Sequence, residues 1–141
     1  MPTYKDTEAF IELLATIPYD GGAVEITNAT EEITFLGVPG QPDYARLEMT
    51  IYPAGRVPEL KSLKEYFFAW RDVVVSYERF IDVVFGHMMR RFEPVRLRLV
   101  LTTRPRGGIT SRLVVIATGA CEEERSGSST GPRTSYATVL S

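Results

Sequence analysis

Between Val95 and Thr118 the chain reads as two alternating runs joined by a turn, and no other stretch restricts the fold as much. Val95, Leu97, Leu99 and Leu101 alternate with Arg96, Arg98, Val100 and Thr102, the period-2 pattern of a strand that buries one face. Pro105-Arg106-Gly107-Gly108 is turn chemistry, and Ser111 to Thr118 reads as the returning strand of a hairpin. The same alternation places Leu47, Met49 and Ile51 on one side of a strand running from Ala45 to Tyr52. The earlier stretch VEITNATEEITFL is β-branched but weakened at Asn28 and Ala29, which predicts a bent or bulged strand. LGVPGQPD, Leu36 to Asp43, carries two Gly and two Pro and predicts a loop.

Between the second and third strands the period changes. Leu63, Tyr66, Phe67 and Trp70 form one helical stripe, and Ile81, Val84, Phe85 and Met88 form another. The β-branched run Val73-Val74-Val75 separates them and predicts a break near Ser76. The resulting order is β-β-α-α-β-β, an α+β unit with a four-stranded antiparallel sheet and two helices on one face. Phe10, Ile11, Leu13, Leu14 and Ile17 predict a short N-terminal helix, so residues 1–22 read as a helical extension and 23–120 as the domain. Residues 121–141, rich in Ser, Gly and Thr, read as a flexible tail. A lone four-stranded sheet leaves edges exposed, which favours a homo-oligomer.

Several function classes fall away. The net charge of -2 provides no field that recruits nucleic acid or an anionic membrane. No apolar run approaches the ~20 residues of a bilayer span. With one histidine and one cysteine the chain cannot assemble a usual zinc site, and a serine or cysteine triad, which would need His87 beside its nucleophile, is disfavoured because no G-x-S-x-G elbow is present. His87 reads as a partly buried polar tip without a role. Cys121 cannot close an intrachain disulfide, and MPTYKDTEAF has no apolar signal core, so a cytoplasmic location is expected. Neither a Walker-type nor a G-x-G-x-x-G loop is present.

Three segments, in this order and with this spacing, resemble the QueF-type 7-cyano-7-deazaguanine (nitrile) reductases of the tunnelling-fold superfamily. They are Gly40-Gln41-Pro42-Asp43, Glu59-Leu60-Lys61-Ser62-Leu63-Lys64 and Pro105-Arg106-Gly107-Gly108-Ile109. The resemblance implies a tunnelling fold (T-fold), rings of subunits whose sheets close into a barrel, and active sites at subunit interfaces. It implies that Glu59 and Glu78 bind the guanine-like edge of a 7-deazapurine, and that Lys61, Lys64 and Arg106 contact the phosphates of NADPH. Asp43 resembles the family's proton donor.

The departures from the family pattern matter as much. The family's Cys-Pro-x-Thr-Gly-Gln-Pro-Asp loop places its nucleophilic cysteine at Leu36, or at Gly37 with a shift of one, and neither residue can attack a nitrile. Tyr77 replaces the family histidine before the second glutamate and is the next candidate donor after Asp43; Leu36 is then a residue of the substrate pocket. Each residue also has a plainer reading: Glu59 and Glu78 as helix-start charges, Asp43 as a turn cap, Lys61 and Lys64 as a solvated helix face, and Arg106 as turn decoration. The resemblance implies an enzyme that binds a 7-substituted 7-deazaguanine and performs non-covalent acid/base chemistry at C7, most concretely decarboxylation of 7-carboxy-7-deazaguanine without a cofactor. The alternatives are an NADPH-dependent reductase working without the thioimide and a non-catalytic 7-deazapurine-binding protein.

Overall fold

The computed structural model describes residues 2–37, 41–118 and 136–140. Its elements are β1 (Thr16–Pro18), β2 (Ile26–Leu36), β3 (Pro42–Tyr52), β4 (Arg56–Pro58), α1 (Leu60–Ala69), α2 (Tyr77–Phe92), β5 (Arg96–Thr103), β6 (Arg112–Thr118) and β7 (Tyr136–Leu140). The main sheet is antiparallel throughout and has the order β2-β3-β5-β6-β7, while β1 and β4 pair separately. The four expected strands are all present, and both helices cover one face of their sheet.

Alternation decides which side chains meet the helices. Leu47, Met49 and Ile51 of β3, Leu97, Leu99 and Leu101 of β5, and Leu113, Val115 and Ala117 of β6 are all buried in one core. Strand β2 needs a correction to reach it. Two residues, Glu31 and Glu32, stand between the pairs Thr30↔Leu47 and Ile33↔Ala45, so β2 bulges there rather than at Asn28 and Ala29. Without the extra residue Glu32 and Thr34 would face the core; with it Ile33 and Phe35 do, at 1% and 0% exposure.

The helices start where the sequence supplies caps. Ser76 accepts from the Arg79 amide and opens α2, and the Glu59 carboxylate opens α1. Helix α2 ends with Glu93 in the left-handed region (φ 46) just before Pro94. Their apolar stripes meet over the sheet, where Phe80 lies between Phe35 and Trp70 with ring centroids 4.7 and 4.8 Å away.

Both ends of the chain differ from expectation. The N-terminal stretch is helical only as two short 3-10 turns, Tyr4–Asp6 and Glu8–Leu13, followed by strand β1. So few residues do not overcome the cost of helix nucleation, and β-branched Thr16 and Ile17 find a partner in β4 instead. These turns pack on the domain: Phe10 meets Tyr66 and Trp70 edge-on, and Arg91 Nε donates to the Leu14 carbonyl at 2.7 Å. The C-terminal stretch, expected to be flexible from 121 onward, supplies β7, which covers the edge that β6 would otherwise expose. Cys121, the rest of that stretch up to residue 135, and Gly40 of the GQPD segment lie outside the described residues.

Candidate active site

Asp43 is not in a turn. Strand β3 begins at Pro42, and Asp43 pairs with Phe35 on the side of the sheet that carries the core. Alternation along Asp43, Ala45, Leu47 and Met49 thus turns a carboxylate inward, where it is costly without partners. Three elements surround it. Arg106 Nη1 donates to Asp43 Oδ1 at 2.6 Å, with the Asp43 side chain 7% exposed and that of Arg106 59% exposed. Tyr77, the first residue of α2, lies beside Asp43 and packs edge-on against Phe35 at 5.4 Å. Burial first, then the charge and hydrogen bond of Asp43, hold the Tyr77 phenol above its usual pKa, with Arg106 opposing. Tyr77 therefore keeps its proton at neutral pH.

The third element is the end of β2. Leu36 is fixed on both sides, by its pairing with Pro42 and by backbone bonds from its N–H to the Val73 carbonyl and from the Val75 N–H to its own carbonyl, each 2.9 Å. By strand parity its side chain lies on the opposite face of the sheet from Asp43. Gly37 is the residue that shares the Asp43 side, and a Cβ on it would stand 2.2 Å from Asp43 Oδ2. The carboxylate fills the space where a side chain at position 37 would begin, so no nucleophile faces Asp43 from β2.

Arg106 is presented by a tight turn. Its N–H and carbonyl exchange hydrogen bonds with Ile109 at 2.9 and 3.0 Å, and the two residues between them, Gly107 (φ 60) and Gly108 (φ 79), occupy a region that other residues rarely adopt. Glu78 follows Tyr77 in the first turn of α2; it is exposed, and its carboxylate has no partner among the described residues. Asp43, Tyr77, Arg106 and Glu78 thus belong to one end of the domain, beside Gly37.

The remaining candidates stand elsewhere. Glu59 accepts from the Lys61 and Ser62 amides at 2.8 and 3.0 Å, so its carboxylate caps α1 as the plainer reading had it. Lys61 is exposed on the same turn. Lys64 lines a groove of about 700 Å³ between α1 and the edge strand β2, together with Asn28, Thr34, Phe67, Phe68 and Arg71. None of Asp43, Tyr77, Glu78 or Arg106 borders that groove. His87, expected to be partly buried, is 1% exposed and bonded through Nδ1 to the Tyr66 hydroxyl at 2.6 Å. Among the described residues no cluster of side chains suits a metal ion, and no helix is long and apolar enough to cross a membrane.

Residues 42–123, from the start of β3 through the returning strand of the hairpin, match the family model described as QueF-like protein. The chain belongs to that family. It is 34% identical over 92 residues to the NADPH-dependent 7-cyano-7-deazaguanine reductase of Chlorobium chlorochromatii, covering 65% of this chain and 78% of that protein. It is 30% identical over 100 residues to the protein of the same name from Chlorobaculum parvum, covering 71% of this chain and 85% of the relative. Among solved structures, the archaeosine synthase QueF-Like in the apo form superposes with a TM-score of 0.57 at 12% identity, over 70% of this chain and 95% of that one. That likeness establishes the fold, the tunnelling fold implied by the sequence. The matched region begins at Pro42, so it takes in Asp43, Tyr77, Glu78 and Arg106 and leaves out Leu36 and Gly37.

Proposed function

We propose that this QueF-like protein binds a 7-substituted 7-deazaguanine and carries out non-covalent acid/base chemistry at C7, in its most concrete form the decarboxylation of 7-carboxy-7-deazaguanine to 7-deazaguanine. The observation that carries the reading is the composition of the Asp43 end. It holds a buried acid paired with Arg106 and lying beside the Tyr77 phenol, with a glycine on the acid's side of the sheet at the end of β2. Such a site can deliver a proton, and among the described residues it holds no thiol to form a thioimide. Asp43 protonates C7 of the electron-rich pyrrole ring; the bond from C7 to the carboxylate carbon then breaks, its electron pair returns to the ring, and carbon dioxide leaves. Arg106 holds the Asp43 carboxylate in position, and water returns the proton that Asp43 gives up. Glu78, exposed beside them, is the acceptor for the base's N–H edge, since a carboxylate takes two parallel N–H bonds.

The reading includes a homo-oligomer in the cytoplasm. Helix α1, 10 residues and about 15 Å long, separates Glu59 from the Asp43 end, so Glu59 reaches a base held at Asp43 only from a neighbouring subunit. A second reading, NADPH-dependent reduction without a thioimide, is favoured by the names of the relatives and by Lys64 and Arg71 in the α1–β2 groove. Incubation of the purified protein with 7-carboxy- and 7-cyano-7-deazaguanine, with and without NADPH, separates the readings by product. Formation of 7-deazaguanine without NADPH is the expected result. A 7-aminomethyl product that requires NADPH would replace the first reading with the second, and binding without any product would leave a binding protein. Mass spectrometry after mixing with the 7-cyano base should find no covalent adduct.

A further inference from the structure

The geometry points to Arg106 as the residue that selects an anionic, carboxylate-bearing substituent at C7 of the base, rather than one that holds the phosphates of a dinucleotide. This rests on the reading above that a 7-deazaguanine binds at Asp43.

Three observations carry it. First, Arg106 sits at the buried acid and does not border the groove that holds Lys64, so within one subunit it does not join that lysine in one phosphate cradle. Second, its donors are only partly used. A guanidinium offers five N–H donors in a fixed fork, and Arg106 gives one nitrogen to Asp43 and neighbours the Tyr77 oxygen, while 59% of the side chain stays open to solvent. The bond to Asp43 fixes the guanidinium plane, so the open edge is presented in one orientation, as bidentate capture of a carboxylate requires. Third, the turn that carries Arg106 is open at Gly107 and Gly108, where a Cβ would meet no described atom within 4 Å.

The arrangement also fits the order of events. Asp43 must give its proton to the ring carbon that bears the substituent, so a carboxylate on that carbon lies next to the Asp43 side chain. The substituent's carboxylate gives up water on entering, and without a cation beside it that loss is costly. Arg106 is the cation already in place. A neutral nitrile gains nothing from it.

The test is calorimetric titration of the wild-type protein, Arg106→Gln and Arg106→Lys with 7-carboxy-7-deazaguanine, 7-cyano-7-deazaguanine, unsubstituted 7-deazaguanine and NADPH. The expected result is that Arg106→Gln weakens the 7-carboxy base by about 10- to 100-fold, because a charge-assisted bidentate pair is lost. The two neutral bases should change by less than about 3-fold, and Arg106→Lys, which keeps the charge and loses the fork, should fall between. An equal loss for all three bases would make Arg106 a structural prop of Asp43 and overturn the inference. A loss confined to NADPH would overturn it as well, and so would unchanged affinities. If the wild type binds the 7-carboxy base through Arg106 and releases no carbon dioxide, the selection stands and decarboxylation falls. If the wild type decarboxylates and Arg106→Gln keeps its preference, the reverse holds. Binding of none of the bases would overturn both.

Discussion

Two clusters in this protein are built from nearly the same parts and arranged in opposite ways. Asp43, Arg106 and Tyr77 gather at one end of α2; Glu8, Arg90, His87 and Tyr66 gather further along the same helix. In the first, the acid is buried and the arginine is open, at 7% and 59% exposure. In the second, Glu8 and Arg90 pair at 2.5 Å with both side chains more than half exposed, while the His87 and Tyr66 rings are sealed beneath them. An exposed ion pair contributes little, and here it closes a lid of N-terminal chain over a satisfied pair of buried polar groups. A buried carboxylate under an exposed cation leaves one partner of each pair for something that arrives from solvent. Where the acid sits in depth, and not which residues are present, distinguishes a site from a clamp.

The sharpest way to break that distinction is at the acid. Asp43→Asn keeps the volume and an oxygen acceptor for Arg106 and Tyr77 but removes the proton that can be transferred. Turnover should fall by roughly 10²- to 10⁴-fold with little change in base affinity, as measured by product formation at saturating base and by calorimetry. Unchanged turnover would remove the acid role from Asp43 and pass it to Tyr77. Loss of affinity with normal saturated turnover would make Asp43 a binding residue.

How much of this was legible beforehand differs between the two clusters. The strands and helices of the domain were written in period-2 and period-3.6 patterns, and the break at Ser76 followed from three consecutive valines. Asp43 and Tyr77 were named from a motif, but their meeting was not, since it depends on a strand that starts at Pro42 and a helix that starts at Tyr77. Parity held an unread signal: Ile33, Phe35 and position 37 share a face with Asp43, which puts Gly37 and not Leu36 on the acid's side of the sheet. Glu59 stayed ambiguous because a cap and a ligand use the same carboxylate; within one subunit it takes the Lys61 and Ser62 amides. The second cluster left no trace in the sequence, because Glu8 and Arg90 are 82 residues apart and meet only after the N-terminal turns dock.

Acid should reveal the clamp next. Burial first, and then Arg90, push the His87 pKa down to about 4 from 6.5, with Glu8 opposing. The native state therefore excludes a proton that the unfolded chain accepts. The stabilisation is complete above pH 6.5 and is lost as the pH falls toward 4, to a total of roughly 3 kcal/mol. Denaturant midpoints at pH 7 and pH 4.5 measure it, and as His87 is the one histidine in the chain, its ring resonances report the titration directly. His87→Gln should flatten the pH dependence in that window. A slope that survives the substitution would assign it to the carboxylates.

A smaller effect is expected at Gly37. A Cβ there would meet Asp43 Oδ2 at 2.2 Å, so Gly37→Ala must displace the carboxylate from Arg106 and Tyr77. Turnover should drop about 10- to 100-fold, since small misplacements of a catalytic group carry penalties of that order. The overpacking should lower stability by about 1–3 kcal/mol. Normal turnover in Gly37→Ala would mean that Asp43 acts from a position other than the one it holds here.

The smallest effect should come from the exposed half of the clamp, and that smallness is itself informative. Glu8→Gln removes the charge that Arg90 holds, yet Arg90 retains its bond to the Gly86 carbonyl at 3.4 Å, and His87 keeps its short bond to Tyr66. The melting temperature should fall less than for Gly37→Ala, and turnover should not change, because Glu8 touches neither Asp43 nor Tyr77. Both clusters nevertheless share α2, with Tyr77 at its first residue and His87 and Arg90 about three turns on. A helix that pivoted when the clamp was loosened would carry Tyr77 away from Asp43 and lower kcat while the fold stayed intact. Measured turnover in Glu8→Gln therefore decides whether α2 is a fixed beam between two independent clusters, as its buried stripe of Phe80, Ile81, Val84, Phe85 and Met88 argues, or a lever that couples them.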